Sequence, residues 1–466
     1  MPAENNPYSY EGQWAQQPTI PRRKVVVTGI GMITPSGLNV ESSWQNILAG
    51  NSAITGLDTD QMYRIAELAE LDHLKDAKLD IQVAGLIDAS FNPADYIASF
   101  GIPGHSKSSD MKRMPRTQLL SLAAAAQTLD NAGLLIDGEL DPQIDRDRFG
   151  TKIGTSVGGM SHIAYLDHRM SQGKKLPPTA PLKIGLERAA AVPSQAFKLR
   201  GPKFTPTDAC ATGSQAIISG IGDILLGDAD RVVVGGVDAP VEQMTLGMFD
   251  YMRTLNRTDN PYRASTPFDT DRHGFVMAEG VGMLLIEAEE VALARGANII
   301  AEIAGYGAAA DAHHDTEPSG YAAEQSLRLA LQRGGLPQDG LLYINAHGTS
   351  TEVGDPVEIR AIRNVLEKQL KDMTDQEIAY AVSSTKSMMG HTMGASGAVE
   401  AIIAALALRD QVLPPTINLE HVMEEGIGVD LVPNQARPAR ISRSGSKNFG
   451  FGGSGTHIMF KHYQSR

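Results

Sequence analysis

Short apolar runs along the chain indicate strands that are buried on both faces. The first run, KVVVTG at residues 24–29, is rich in β-branched residues and ends at a glycine. Comparable runs follow at 150–154, 231–236, 282–287, 299–303, 341–345, 378–383 and 458–461. The pattern therefore predicts strands along the whole chain from residue 24 onward.

Longer patterns between these strands predict helices. They lie at 116–132, 211–226, 322–333, 357–371 and 397–408. Strands that alternate with helices are typical of an α/β fold. The segments 211–226 and 397–408 are apolar or small on almost every side, and a helix without a polar face belongs in the interior of a large protein. We therefore predict an α/β fold with two interior helices.

The composition is that of a folded protein with a negative charge. Of the 466 residues, 42% are hydrophobic and 20% are charged, which excludes a disordered chain. The 41 basic and 54 acidic residues give a formal net charge of −13. This balance argues against nucleic acid or an anionic membrane as the main partner.

The same sequence bears on the compartment. No apolar run approaches the length of a membrane span, about 18 residues. Residues 1–22 form a polar arm with neither the basic start nor the apolar stretch of a secretory signal. Cys210 is the single cysteine, so a disulfide within the chain is impossible. We expect a cytoplasmic protein without a membrane span.

Two glycine-containing motifs suggest activities that their surroundings disfavour. Gly29-x-Gly31 resembles the start of a dinucleotide fingerprint, but Thr34 and a proline stand where the third glycine and the helix are needed. The pattern from Gly154 to Gly158 places Ser156 in the G-x-S-x-G arrangement of a serine hydrolase. A serine hydrolase therefore stays an alternative.

Cys210 has better surroundings for a nucleophile. Small residues flank it on both sides, and the interior helix predicted at 211–226 begins directly after it. The positive end of a helix dipole lowers the pKa of a thiol there, and backbone N–H groups can hold an oxyanion. A buried cysteine is also a common small apolar residue. From this motif alone, both interpretations stand.

Two histidines and one charged pair favour the catalytic interpretation. His347 and His391 each follow a predicted strand, so an α/β fold can bring them to one site with Cys210. Lys386 and Glu400 lie within apolar sequence, where charges need a partner, and this predicts a buried ion pair. The Lys386 ammonium would lower the pKa of His391 and keep its ring neutral.

Five motifs together resemble the beta-ketoacyl-acyl-carrier-protein synthases of the elongating, Cys-His-His kind. These motifs are DACATG at 208–213, PFDTDRHGFVMAEG at 267–280, NAHGTST at 345–351, STKSMMGHTMGASGAVEA at 384–401 and NFGFGG at 448–453. The resemblance implies a thiolase-like fold, in which two similar α/β halves form five layers (αβαβα). It implies an N-terminal half at 23–290 and a C-terminal half at 291–466. The polar arm at 1–22 and an irregular segment at about 55–115, which we interpret as an insert, have no counterpart in the resemblance.

The resemblance also implies a reaction. Such an enzyme performs a decarboxylative Claisen condensation of an acyl group on Cys210 with malonyl-acyl-carrier protein, in fatty acid elongation. His347 and His391 would hold the malonyl thioester and stabilise the enolate, while Lys386 and Glu400 would orient the site. No cofactor or metal is expected, because acyl carrier protein delivers the substrates on its phosphopantetheine. A homodimer is expected.

Further residues take roles from the same resemblance. Thr349 and Thr351 would hydrogen-bond the pantetheine arm. Phe451 would act as the gate, on a loop that adds an oxyanion N–H to that of Cys210, and Phe449 lies on the same loop. Val157 would line the acyl pocket. For carrier docking, the basic residues Lys112 and Arg113 are the candidates.

The chain departs from the family pattern near the gate. Lys447 and Asn448 stand where Asn-Ser is common, and Ser454 and Gly455 stand where Thr-Asn is common. The run DAHHDT at 311–316 also differs, and its adjacent histidines are a poor metal site. Acyl-chain preference is therefore left open. The alternatives are a polyketide-type ketosynthase with the same chemistry, a serine hydrolase using Ser156, and a non-catalytic partner subunit.

Overall fold

The computed structural model describes residues 23–57, 79–111, 114–370 and 377–464. The predicted arm at 1–22 lies outside these ranges, as do residues 58–78 of the predicted insert.

The strands follow the apolar runs of the sequence. They are β1 (Val25–Ile33), β2 (Ile54–Gly56), β3 (Val83–Gly85), β4 (Leu135–Ile136), β5 (Glu139–Leu140), β6 (Phe149–Gly154), β7 (Lys203–Phe204), β8 (Arg231–Asp238), β9 (Gly280–Ala288), β10 (Ala301–Ala310), β11 (Leu341–Asn345), β12 (Tyr380–Ser383), β13 (Val412–Leu413), β14 (Arg437–Pro438), β15 (Ile441–Gly450) and β16 (Ser454–Lys461).

The helices include both predicted interior ones. They are α1 (Val40–Leu48), α2 (Pro93–Ser99), α3 (Arg116–Asn131), α4 (Met160–Ser171), α5 (Pro181–Ile184), α6 (Arg188–Phe197), α7 (Thr212–Leu226), α8 (Gln243–Tyr251), α9 (Glu289–Ala294), α10 (Tyr321–Gly334), α11 (Gly354–Arg363), α12 (Lys386–Met389) and α13 (Ser396–Asp410). The helix predicted at 357–371 is partly wrong, because α11 ends at Arg363 and a π-helical segment spans Asn364–Gln369.

Ten of the described strands form one sheet that consists of two similar halves. Outward from the centre, the order is β1-β9-β8-β6-β7 on one side and β10-β16-β15-β11-β12 on the other. In each half the first two pairings are antiparallel and the outer two are parallel. A short antiparallel pairing of β1 with β10 joins the halves. The two halves therefore repeat one topology.

The helices complete the five layers that the resemblance implies. Helices α3 and α6 cover the outer face of the first half-sheet. Helix α10 covers that of the second, and Ile359 and Ile362 of α11 join the same apolar cluster as Leu342 and Ile344 of β11. Helices α7 and α13 lie between the half-sheets, where Ile217, Ile221 and Leu406 join one apolar core with Val234 and Ile458. The predicted fold class is thus confirmed.

One interior helix has the composition of a membrane span. The 18-residue segment Ala209–Leu226 has a mean hydropathy of 1.3, and 56% of it is buried inside the protein. The expectation that no apolar run reaches this length is therefore wrong for this segment. Its position between the half-sheets explains the apolar sequence, since a core helix needs no polar face.

Candidate active site

Cys210 lies in a tight turn directly before α7, close to where the sequence predicts a helix start. The preceding residue, Ala209, has a φ of +44°, a left-handed conformation that is costly for a residue other than glycine. The expected lowering of the thiol pKa is wrong. Burial raises the pKa of Cys210 to about 12, and the Lys386 charge opposes this effect only in part. The resting cysteine is therefore a thiol that needs a base.

His391 is placed to be that base. Its Nε2 lies 3.0 Å from Cys210 Sγ, and its Nδ1 lies 2.9 Å from Ser396 Oγ at the start of α13. The serine hydroxyl also lies 3.0 Å from Thr392 Oγ1. Because a hydroxyl can donate or accept, it supports either neutral form of the His391 ring. The ring can thus accept the thiol proton at Nε2 or donate a hydrogen bond from the same atom.

His347 completes a compact group at the end of β11. Its ring is perpendicular to that of His391, with the centroids 5.2 Å apart. Its backbone N–H and that of Gly348 donate to the two oxygens of Glu358, at 2.9 and 2.7 Å. Its Nδ1 lies 3.3 Å from Asn448 Oδ1, which can only accept. In this arrangement the neutral ring carries its hydrogen on Nδ1.

Lys386 and Glu400 form the predicted buried ion pair. The Lys386 ammonium donates to Glu400 Oε1, and both side chains are almost fully buried. Burial holds the pKa of His347 and His391 well below the usual range, and the Lys386 charge lowers both further. The Lys386 charge lowers the pKa of His391 as expected, but burial lowers this pKa more. Both rings are therefore neutral near pH 7.

Two aromatic residues at the turn between β15 and β16 border the site. The Phe449 ring meets the His347 ring edge to face, with the centroids 5.6 Å apart. Phe451 is 39% exposed and stacks on Phe249 at 6.3 Å. A cavity of about 570 Å³ opens here, and its lining includes Cys210, His347, His391, Phe449, Phe451, Thr349 and Thr351. The predicted nucleophile, histidines, gate and threonines thus share one cavity.

Comparison with known families shows which family the chain resembles. The family model "Beta-ketoacyl synthase, N-terminal domain" matches residues 22–292, and "Beta-ketoacyl synthase, C-terminal domain" matches residues 300–420. The chain belongs to the beta-ketoacyl synthase family. Cys210 lies within the residues that the N-terminal model matches, and His347 and His391 lie within those that the C-terminal model matches.

Curated relatives and solved structures of this family match nearly the whole chain. The chain is 36% identical over 455 residues to a 3-oxoacyl-[acyl-carrier-protein] synthase 2 of Rhizobium meliloti, covering 95% of this chain and 99% of the relative. A protein of the same name from Vibrio cholerae is 36% identical over 446 residues, covering 94% and 99%.

Two solved structures show the same fold. A beta-ketoacyl synthase from Burkholderia phymatum has a TM-score of 0.81 at 27% identity, covering 95% of this chain and 100% of that one. A type II polyketide ketosynthase, solved with its acyl carrier protein, has a TM-score of 0.78 at 26% identity, with the same coverage.

The threonines and acids after His347 have mainly structural contacts. The hydroxyls of Thr349 and Thr351 lie 3.1 Å apart at the cavity wall. Asp355 accepts from the Phe268 backbone N–H at 2.9 Å, and Glu358 accepts the two N–H groups named above. Burial raises the pKa of Asp355 to about 6 and that of Glu358 to about 7. Both carboxyls therefore shape the loop that carries His347.

The remaining predicted residues lie apart from this group. Ser156 donates to the buried carboxylate of Asp238 at 2.5 Å and accepts from the Gly394 N–H at 3.2 Å. Val157 donates its backbone N–H to Asp238 at 3.1 Å, and the cavity lining among the described residues does not include it. Lys112 and Arg113 lie outside the described residues.

The structure adds residues that the sequence did not single out for this site. Ser396 and Asn448 contact the Nδ1 atoms of His391 and His347, and the Phe275 ring lies 5.2 Å from that of His391. Asn448 was visible as a departure from the family pattern beside Phe449. Ser396 had no such signal, because a serine within a small-residue run is usually a packing residue.

Among the residues that the structure describes, two groups of side chains are close enough to consider as metal ligands. The ligand atoms of Cys210, His347 and His391 all lie within 4.8 Å of one another. The hydrogen bond between Cys210 and His391 already uses two of them. Asp269, Asp271 and His421 form the other group, but Asp269 accepts backbone N–H groups from both Asp271 and His421.

Proposed function

We propose that the protein catalyses decarboxylative Claisen condensation of an acyl thioester with malonyl-acyl-carrier protein, in fatty acid elongation. The observation that carries this proposal is the 3.0 Å contact of Cys210 Sγ with His391 Nε2, beside a second neutral histidine in the same cavity. The names of the relatives, 3-oxoacyl-[acyl-carrier-protein] synthase 2, support the same reaction.

The first half-reaction transfers the acyl group. As the Cys210 sulfur attacks the thioester carbonyl, its proton passes to His391 Nε2. The new carbon–sulfur bond forms, the bond to the pantetheine sulfur breaks, and His391 returns the proton to the departing thiolate. Backbone N–H groups of Cys210 and Phe451 would hold the oxyanion, as in the family. Protein donors of this kind typically contribute about 10²–10³ in rate.

The second half-reaction forms the carbon–carbon bond. The bond to the malonyl carboxylate breaks, carbon dioxide leaves, and the electron pair forms an enolate that attacks the acyl carbonyl on Cys210. The cysteine sulfur leaves and takes up one proton. His347 and His391 stabilise the enolate through Nε2–H. For His347, this requires that the Asn448 amide turn so that Nδ2 donates to Nδ1.

The other predicted residues support this cycle. Lys386 and Glu400 fix the electrostatic surroundings, and Thr349 and Thr351 are placed at the cavity wall to bind the pantetheine arm. Phe451, at the exposed rim, is placed to act as a gate, with Phe449 behind it. The substrates arrive on phosphopantetheine, so we propose no bound cofactor, and we propose a cytoplasmic location.

Intact-mass spectrometry tests the reaction. The protein is mixed with a panel of acyl-acyl-carrier proteins, and the expected result is one acyl adduct that is absent from Cys210→Ala. Addition of malonyl-acyl-carrier protein should then release carbon dioxide and clear the adduct. Turnover that survives Cys210→Ala would overturn the proposal and would favour Ser156.

A polyketide-type ketosynthase is the second candidate. It uses the same chemistry, and the type II polyketide ketosynthase among the structural neighbours was solved bound to a hexaketide. The adduct panel separates the two, because a fatty acid enzyme should prefer saturated starters and a polyketide enzyme should accept oxidised ones. A non-catalytic partner subunit is disfavoured, since the nucleophile and both histidines are present.

Acyl carrier protein is the proposed partner, and Lys112 and Arg113 are its proposed docking residues. Because the enzyme has a formal net charge of −13, local positive charge must attract an acidic carrier. Reversing both residues to glutamate should raise the KM for the carrier substrate and flatten its salt dependence. Small thioester mimics should react as before, and an equal loss with both substrates would place docking elsewhere.

A homodimer is the proposed assembly. Strand β7 is an outer strand of the sheet, and its Phe204 side chain is 54% exposed. Exposed sheet edges with apolar side chains favour pairing with another chain. Light scattering should give a dimer for the parent protein and a monomer for Phe204→Asp. A dimer of unchanged stability in that variant would place the interface elsewhere.

A further inference from the structure

Lys447 is a buried cation that the proposed mechanism does not use. Its side chain is fully buried, and it stands where the family pattern commonly has asparagine. A buried ammonium is costly unless other groups stabilise it, so its surroundings should explain its presence.

Four groups among the described residues stabilise the Lys447 ammonium. Its Nζ donates to the Ala323 carbonyl in the first turn of α10 at 2.5 Å, and it lies 5.0 Å from the centre of the Phe449 ring. The carboxylates of Glu358 and Glu324 attract it through the protein interior, with Glu358 the stronger of the two. Lys447 therefore acts on both Phe449 and Glu358, the two residues that hold His347 from either side.

A second departure from the family pattern explains how the lysine fits. Gly455 stands where asparagine is common, and it pairs with Phe449 across the two strands. A Cβ at Gly455 would lie 2.7 Å from the carbonyl carbon of Ala322. Glycine thus lets the first turn of α10 lie directly on β16, which brings the Ala323 carbonyl within reach of Lys447.

We propose that Lys447 is a positioning residue for His347 in the decarboxylation step. Its ammonium attracts the Glu358 carboxylate that holds the backbone of His347 and Gly348, and it holds the Phe449 ring against the His347 imidazole. The proposal rests on the proposed condensing function. Cys210 and His391 make none of these contacts, so acylation should depend little on Lys447.

The test uses Lys447→Met, which keeps the length and removes the charge. Without the cation, Glu358 binds a proton more readily and becomes a poorer acceptor for two N–H groups. Carbon dioxide release from malonyl-acyl-carrier protein should fall about tenfold, the order expected for one lost buried hydrogen bond. Acylation of Cys210, followed by mass spectrometry, should stay within about threefold of the parent rate. Lys174→Met, at an exposed lysine, should change neither rate.

Two further measurements separate positioning from general damage. The second single variant is Glu358→Gln. The double variant Lys447→Met/Glu358→Gln should decarboxylate no more slowly than the slower of the two single variants, because the two charges act as one unit. Alkaline pH should also restore decarboxylation in Lys447→Met, since Glu358 ionises again. The charged groups that act on Glu358 there are Lys447, which lowers its pKa, and Asp355, which raises it, and Glu400 also interacts with Glu358.

The outcomes distinguish this proposal from the proposed function. A parent protein that forms no adduct at Cys210 contradicts the condensing function. A parent that forms the adduct, with a Lys447→Met variant that releases carbon dioxide at the parent rate, contradicts the role of Lys447. Equal loss of both half-reactions, or losses that multiply in the double variant, also contradicts it.

Discussion

Lys386→Met should destabilise the protein in a way that depends on pH. The substitution keeps most of the side-chain volume and removes the charge that faces Glu400 in the core. Removing one partner of a buried ion pair commonly costs about 3–5 kcal/mol, because it leaves an unpaired charge. The titration of Glu400 changes that expectation.

Burial raises the pKa of Glu400 from 4.5 to about 7, even with Lys386 beside it. As a carboxyl whose pKa is higher in the folded state, it lowers stability progressively as pH rises from about 4.5 to 7. Below pH 7 Glu400 is neutral in both the parent and the variant, so the substitution changes the free energy of unfolding little. Above pH 7 Glu400 is ionised in the parent, and the free energy of unfolding no longer falls. In the variant the pKa of Glu400 is higher still, so the free energy of unfolding continues to fall by about 1.4 kcal/mol per pH unit.

Urea unfolding at pH 6, 8 and 9 measures this difference. We expect the free energy of unfolding of Lys386→Met to lie below that of the parent by a deficit near zero at pH 6, about 1 kcal/mol at pH 8 and about 3 kcal/mol at pH 9. The double variant Lys386→Met/Glu400→Gln is the control, because it has no titrating carboxyl and its deficit should not vary with pH. A deficit of the same size at pH 6 and pH 9 in the single variant would refute this reasoning.

Three further variants test the site. His391→Ala should slow acylation as well as decarboxylation, because Cys210 with a pKa of about 12 then lacks its base; mass spectrometry of the adduct would show a parent-like rate if another base served. Asn448→Asp should suppress carbon dioxide release and spare acylation, because a carboxylate only accepts and so keeps the hydrogen of His347 on Nδ1; equal release would exclude the amide turn. Val157→Phe should reduce acylation by long starters more than by short ones, and an equal loss for all lengths would indicate misfolding.

Much of the fold could be predicted from the sequence, because its signals are local. The buried strands are β-branched runs, and the interior helices α7 and α13 lack a polar face. The end of α11 was not predictable in this way. The apolar pattern continues past Arg363, but the backbone widens into a π-helical segment there. The spacing of apolar residues in the sequence does not indicate this change from α-helix to π-helix.

The sequence predicted which residues lie together in the candidate site, but it did not predict their protonation states. A single cysteine before an apolar helix and two histidines after strands were enough to indicate the three side chains that the structure brings together. Whether Cys210 is a thiol depends instead on how much water the layers exclude, and burial outweighs the Lys386 charge. Lys447 shows the same limit, since only the approach of α10 to Gly455 explains a lysine in the core.

The repeated topology explains why the proposed nucleophile and its proposed base come from distant parts of the chain. Cys210 precedes α7, and His391 precedes α13, which begins at Ser396 and is the matching interior helix of the other half. The beginnings of these helices touch, because a Cβ at Gly213 would lie 2.8 Å from the Ala398 nitrogen. Two positive helix ends close together are unfavourable alone, but they favour a thiolate or enolate formed between them. The contact that orders the core therefore also builds the site for an anionic intermediate.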